Sequence, residues 1–169
     1  ETAKILTEDG WMKTGDAGVL DNEGNLTITD RIKDLMKTSN GKYIAPQPIE
    51  NMFSNNSYIN QILLIADDKP FVSALIVPNF ETLEEKLKSL DVDFTNWKEV
   101  VENEKVQAFY QKLIDDIQTD LSGFEKIKKF ILMPADFEIQ SGEITPTLKI
   151  KRNIVLEKYA DKINLIYNK

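Results

Sequence analysis

The sequence contains neither histidine nor cysteine. That excludes Ser-His-Asp catalysis, histidine acid/base work, disulfides, Cys-ligated zinc and thiol nucleophiles. Any chemistry must come from lysine, arginine, carboxylates, hydroxyls or backbone groups. Lys149 stands in the run Thr145-Pro146-Thr147-Leu148-Lys149-Ile150-Lys151-Arg152, where a last helix is expected to start. Helix N-termini disfavour positive charge, so these cations suit a task outside the helix. A loop-borne ammonium can stabilise negative charge where a transition state develops it, without acting as a base. The plainer reading is one more solvated lysine. Asp16 follows Gly15; its carboxylate could accept from two vicinal hydroxyls or simply satisfy turn amides. The Arg31 fork suits paired oxygens, or an ion pair with Asp30 or Asp34. Lys33 lies in a charged run, and Gly41 in the turn-prone Asn40-Gly41-Lys42.

The elements that must position these residues follow from patterning. Ala17–Leu20 and Leu26–Thr29 flank the turn-rich Asp21-Asn22-Glu23-Gly24, which predicts a β-hairpin. A lone hairpin is marginal in water, so a neighbour is expected to cover it. Pro46 and Pro48 open a short helix with Ile49, Met52 and Phe53 on its apolar face. Ile62–Ala66 and Val72–Val77 are continuous apolar runs around a turn, a buried antiparallel pair. Leu83, Leu87 and Leu90 share one helical face. A longer helix is expected from about Glu102 to Leu121, then a strand over Phe130–Met133. Ile150, Ile154, Tyr159, Ile163 and Ile166 outline one final helix. The order β-hairpin, α, β, β, α, α, β, α gives an α+β fold, a small sheet covered by helices.

A chain of 169 residues suits one domain, or one domain with a piece of a neighbour. With 41% hydrophobic and 29% charged residues it has a globular composition. A net charge of −7 argues against a general nucleic-acid binder. No apolar run reaches the span of a bilayer and no signal peptide is visible, so a cytoplasmic location is expected. Peripheral association at the inner membrane face stays open as an alternative, but no basic amphipathic helix supports it.

Three stretches, in order, resemble motifs of the adenylate-forming superfamily of acyl-CoA synthetases, luciferases and peptide-synthetase adenylation domains. They are GWMKTGD (Gly10 to Asp16), DRIKDLMKTSNGKYIAP (Asp30 to Pro46) and EITPTLKIKR (Glu143 to Arg152). The third motif, with Leu148 where many relatives carry glycine, looks like the long-chain fatty-acid–CoA ligase branch, as does the acidic helical insert before Phe130. The resemblance spans nearly the whole chain. It implies activation of a carboxylate with Mg-ATP to an acyl-adenylate, from which coenzyme A displaces AMP. It also implies residues 1–30 as the end of a large N-terminal domain and 31–169 as a C-terminal cap that rotates about a hinge near 30–33.

Residue by residue, the resemblance implies Lys149 for adenylation and Asp16 for the ribose. Arg31 would make a second nucleotide contact and Lys33 would be the hinge. Gly41 would stand on the loop lining the pantetheine path of CoA. Arg152 closes the motif, with phosphate-side and structural roles in balance. No metal ligand is assigned to this chain. The Ser/Thr/Gly-rich phosphate loop expected of the large domain is absent from it, so ATP, Mg2+ and fatty acid would be bound mostly by that N-terminal partner, and the isolated chain would be inactive. Two alternatives stand beside this reading. One keeps the superfamily but makes the reaction aryl-CoA ligation or amino-acid adenylation. The other is a non-catalytic interaction module built on the acidic insert.

Overall fold

The computed structural model describes residues 6–31 and 34–168, and its fold is α+β. The hairpin consists of β1 (Asp16–Leu20) and β2 (Leu26–Arg31), paired antiparallel. Asp21 Oδ1 builds the turn by accepting the N–H groups of Glu23 at 2.8 Å and Asn25 at 2.9 Å. The ladder shifts register between Ala17 and Gly18. A Cβ at Gly18 would lie 2.8 Å from the Thr27 carbonyl oxygen, so only glycine fits there. Val19, Leu20, Leu26 and Ile28 are each more than half exposed.

A two-stranded pair, β3 (Met36–Lys37) and β4 (Tyr43–Ile44), occupies the segment that the charge pattern leaves without regular structure. Met36 and Ile44 are buried. The pair is tied to the turn after the next strand: Lys37 N–H donates to Asp67 Oδ1 at 3.0 Å, and Asp68 N–H to the Lys37 carbonyl at 2.8 Å. Helix α1 (Pro46–Ser54) buries Pro46, Ile49, Glu50 and Phe53. Met52, expected on that apolar face, is 37% exposed. At 100° per residue it lies roughly 110° around the helix from the centre of the buried stripe.

The central sheet has the order β5-β6-β7: β5 (Ile59–Ile65), β6 (Val72–Pro78) and β7 (Ile127–Leu132). β5 and β6 run antiparallel, β6 and β7 parallel. Side chains alternate between faces. Ile62, Leu64, Ala74 and Ile76 enter one core with Phe53, Leu83, Tyr110 and Ile114. Leu63, Ile65, Leu75 and Val77 enter a second core with Met133, Phe137, Val155 and Ile163. Burial on both faces explains why these strands read as continuous apolar runs.

The parallel pairing requires a crossover, supplied by α2 (Phe80–Leu90), α3 (Trp97–Glu102) and α4 (Glu104–Ile117). The expected helix from Glu102 to Leu121 is therefore shorter. Asn103 is extended between α3 and α4 and caps α4 by accepting the Lys105 N–H at 2.9 Å. At the other end Gln118 leaves the helix to accept the Ile127 N–H at 2.8 Å and donate to the Ile127 carbonyl at 3.3 Å. The last expected helix is two, α5 (Arg152–Lys158) and α6 (Ala160–Tyr167), separated at Tyr159. Ile150 precedes them and forms a bridge with Ile144. Among the described residues no helix is long and apolar enough to cross a membrane.

Candidate functional site

The lysine-bearing motif folds as a small hairpin. Ile144 pairs antiparallel with Ile150. Between them, Leu148 N–H donates to the Thr145 carbonyl at 2.8 Å, and Thr145 N–H to the Lys149 carbonyl at 2.8 Å. Lys149 N–H donates to Thr145 Oγ1 at 3.0 Å. Pro146 takes the second turn position, where its fixed φ is favoured. Leu148 then adopts φ +59°, the left-handed place that three-residue hairpin loops reserve for glycine. Leu148 is 72% exposed, so its side chain gains little packing in return. The geometry thus accounts for a glycine-preferring position that carries leucine at a backbone cost of about 1–2 kcal/mol. Lys149, next in sequence, is exposed.

Both feet of this hairpin are anchored. On the entering side, Glu143 is 1% exposed. Its carboxylate accepts from Tyr159 OH at 2.7 Å, Lys158 Nζ at 3.0 Å, the Glu138 N–H at 3.3 Å and the Ser141 hydroxyl. Burial alone would raise its pKa; the hydrogen bonds from Ser141, Tyr159, Lys158 and the Glu138 amide outweigh that and hold it below the usual carboxylate range. On the leaving side, Arg152 Nη2 donates to Glu50 Oε1 at 2.7 Å, and Nη1 donates to the Leu64 carbonyl at 2.5 Å. Glu50 Oε1 also accepts the Leu64 N–H at 2.7 Å. Burial pushes the Glu50 carboxyl up, against the pull of the Arg152 guanidinium and the Leu64 amide. Glu50 and Arg152 together satisfy both backbone groups of Leu64 on the free edge of β5.

Asp16 and Lys149 line the same open cleft, of about 1540 Å³, together with Asp34, Glu50 and Arg152. Asp16 is half-buried at the start of β1, in register with Arg31. The side chain of Arg31 and the whole of Lys33 fall outside the described residues. Gly41 is not among the cleft's lining residues. It ends the Thr38–Gly41 turn, donating its N–H to the Thr38 carbonyl at 2.8 Å, with φ +77°. A Cβ there would meet nothing within 4 Å, so the backbone conformation rather than crowding calls for glycine. This turn is docked on the β5–β6 connection: Ser39 N–H donates to the Lys69 carbonyl at 3.0 Å, and Asn40 Nδ2 to the Pro70 carbonyl at 3.2 Å.

Sequence reasoning misses Glu50 and the anchoring role of Glu143. Glu50 left a readable signal, because it is a carboxylate on the buried stripe of α1, between Ile49 and Phe53. Glu143 left a weaker one, a charge beside apolar Ile144. Among the described residues no group of three or more carboxylates could hold a metal ion.

Over residues 33–169 the sequence matches the family model described as AMP-binding enzyme C-terminal domain. It is 37% identical over 162 residues to a long-chain-fatty-acid–CoA ligase of Mycobacterium tuberculosis, covering 95% of this chain and 27% of that protein. With long-chain-fatty-acid–CoA ligase 1 of Saccharomyces cerevisiae the identity is 34% over 176 residues, with 99% and 25% covered. The chain thus spans about a quarter of the length of these relatives. Among solved structures, the adenylation domain of a carboxylate reductase from Mycobacterium chelonae superposes with a TM-score of 0.81 at 23% identity, covering 99% of this chain and 25% of that one. A fatty acyl CoA synthetase of Mycobacterium tuberculosis gives 0.53 at 23% identity, covering 96% and 27%. At these identities the structural likeness speaks to the fold alone.

Proposed function

The chain belongs to the AMP-binding enzyme C-terminal domain family, within the adenylate-forming superfamily, and from that premise we propose that it is the C-terminal part of a long-chain fatty-acid–CoA ligase. The observation that carries the reading is the anchored hairpin that holds an exposed Lys149 at a cleft also lined by Asp16. In the first half-reaction a fatty carboxylate oxygen attacks the α-phosphorus of ATP and pyrophosphate leaves. Negative charge then gathers on the α-phosphate and the attacking carboxylate. The Lys149 ammonium stabilises it there without transferring a proton. The Asp16 carboxylate accepts from the two ribose hydroxyls, and Arg31 adds a second polar contact.

In the second half-reaction the CoA thiol attacks the acyl carbon and AMP leaves. Residues 31–169 rotate about a hinge at 30–33, with Lys33 absorbing the backbone change, and the Gly41 turn comes to line the pantetheine path. The large domain, which supplies the phosphate loop, the fatty-acid site and the magnesium that accompanies ATP, covers the exposed apolar residues of the β1–β2 hairpin. The isolated chain is inactive for want of those parts. The names of the curated relatives support the long-chain substrate class. The test is ATP–pyrophosphate exchange by the full-length enzyme across a carboxylate panel. Long-chain fatty acids are expected to drive exchange; exchange driven instead by aryl or amino acids overturns the substrate assignment.

A further inference from the structure

We propose that Arg152 and Glu50 are positioning residues for the adenylation lysine, acting by riveting its hairpin to the edge of β5. The inference rests on the assignment of Lys149 made above. Arg152 is the first residue of α5, three positions after Lys149. The intervening backbone is held by the Ile144–Ile150 bridge and by Lys151 N–H donating to the Glu143 carbonyl at 2.7 Å. A displacement at Arg152 therefore passes to Lys149 with little slack.

The rivet is specific in direction. Arg152 donates to Glu50 at 2.7 Å and to the Leu64 carbonyl at 2.5 Å, while Leu64 N–H donates to the same Glu50 oxygen at 2.7 Å. Two acceptors, one on α1 and one on the sheet edge, thus fix one guanidinium plane, and the Leu64 N–H in turn holds the Glu50 oxygen in place, an arrangement that lysine, a point cation, cannot reproduce in full. The side chains are 29% and 11% exposed, so water competes poorly for the pair. With this fork committed to protein partners, the motif's final arginine serves the loop rather than a phosphate. Misplacing a catalytic group by about 1 Å costs on the order of 10²-fold in rate. Only the half-reaction that uses Lys149 should feel it.

The experiment compares Arg152→Met, Arg152→Lys, Glu50→Gln and Lys149→Ala in the full-length enzyme. It times fatty-acid-dependent ATP–pyrophosphate exchange and, separately, thioester formation from a synthetic acyl-adenylate. Arg152→Met is expected to lower kcat of exchange by about 10²-fold with KM for ATP little changed. Thioester formation should stay near the wild-type rate, Glu50→Gln should move in the same direction, and Arg152→Lys should recover part of the loss. Should Arg152→Met fail to fold, the Glu50→Met/Arg152→Met double variant replaces the ion pair by apolar side chains of similar reach and carries the same expectation. Wild-type exchange in a folded variant, or an equal loss in both half-reactions, overturns the proposal. If Lys149→Ala loses exchange while Arg152→Met does not, the positioning role alone falls. If Lys149→Ala keeps exchange, the lysine assignment falls and takes this inference with it.

Discussion

Replacing Glu143 by alanine should show how firmly the lysine hairpin is footed. Four donors converge on this carboxylate, which is 1% exposed. They will not all suffer equally. Lys158 is 45% exposed and Ser141 is exposed, so water replaces their lost partner at little cost. Tyr159 is half-buried, and leaving its hydroxyl unpaired costs about 1–3 kcal/mol, whereas the Glu138 N–H belongs to an exposed residue that water also reaches. Glu143→Ala is therefore expected to destabilise by about 2 kcal/mol, which for a chain of this size lowers Tm by about 4–8 °C.

The pH dependence adds a second readout. In the folded state the Glu143 carboxyl is held below the ordinary glutamate range. Its stabilisation is thus fully present above the unfolded pKa and is lost as pH falls through the folded one. The gap between wild type and Glu143→Ala should be constant near neutrality and shrink below about pH 4.5. Urea unfolding followed by far-UV circular dichroism and tryptophan fluorescence, repeated from pH 7 to pH 3, measures both. Equal midpoints at pH 7, or a gap that stays constant into acid, would refute the claim that a buried, ionised Glu143 holds this foot.

Two further perturbations are sharp. Leu148→Gly relieves about 1–2 kcal/mol of left-handed strain against about 0.5–1 kcal/mol of added backbone entropy. It should leave Tm unchanged or slightly raised in a thermal melt, whereas a drop of several degrees would show that the exposed leucine packs after all. Gln118→Ala strips both partners from the buried backbone of Ile127, which should cost about 2–4 kcal/mol and accelerate hydrogen exchange at the Ile127 amide; unchanged exchange there would contradict the structure.

The parts of the fold legible in the sequence were those whose partners are near or uniformly apolar. The β1–β2 hairpin announces itself through Asp21 and Gly24, and the β5–β6 pair through two apolar runs buried on both faces. The β3–β4 pair was not legible, because two-residue strands carry no periodicity and are held by Asp67, 30 residues away from Lys37. The break at Tyr159 was hidden by an apolar stripe that runs on through Ile163, although Tyr159 OH is committed to Glu143. The helix start at Asn103 could have been read from Asn followed by Glu, a capping pattern that the amphipathic stripe overrode.

The same division holds at the site. Lys149 and Asp16 could be singled out by residue type and motif. That they line one cleft depends on tertiary placement that no local pattern encodes. The contacts of Glu50 and Arg152 lie 102 residues apart in sequence and could not be inferred from either segment alone.

The most direct test of the central claim is Lys149→Ala in the full-length enzyme, with the two half-reactions timed apart. Fatty-acid-dependent ATP–pyrophosphate exchange should fall by orders of magnitude, while CoA thioester formation from a synthetic acyl-adenylate should be largely kept. Exchange at the wild-type rate would contradict that claim and leave Lys149 a surface lysine.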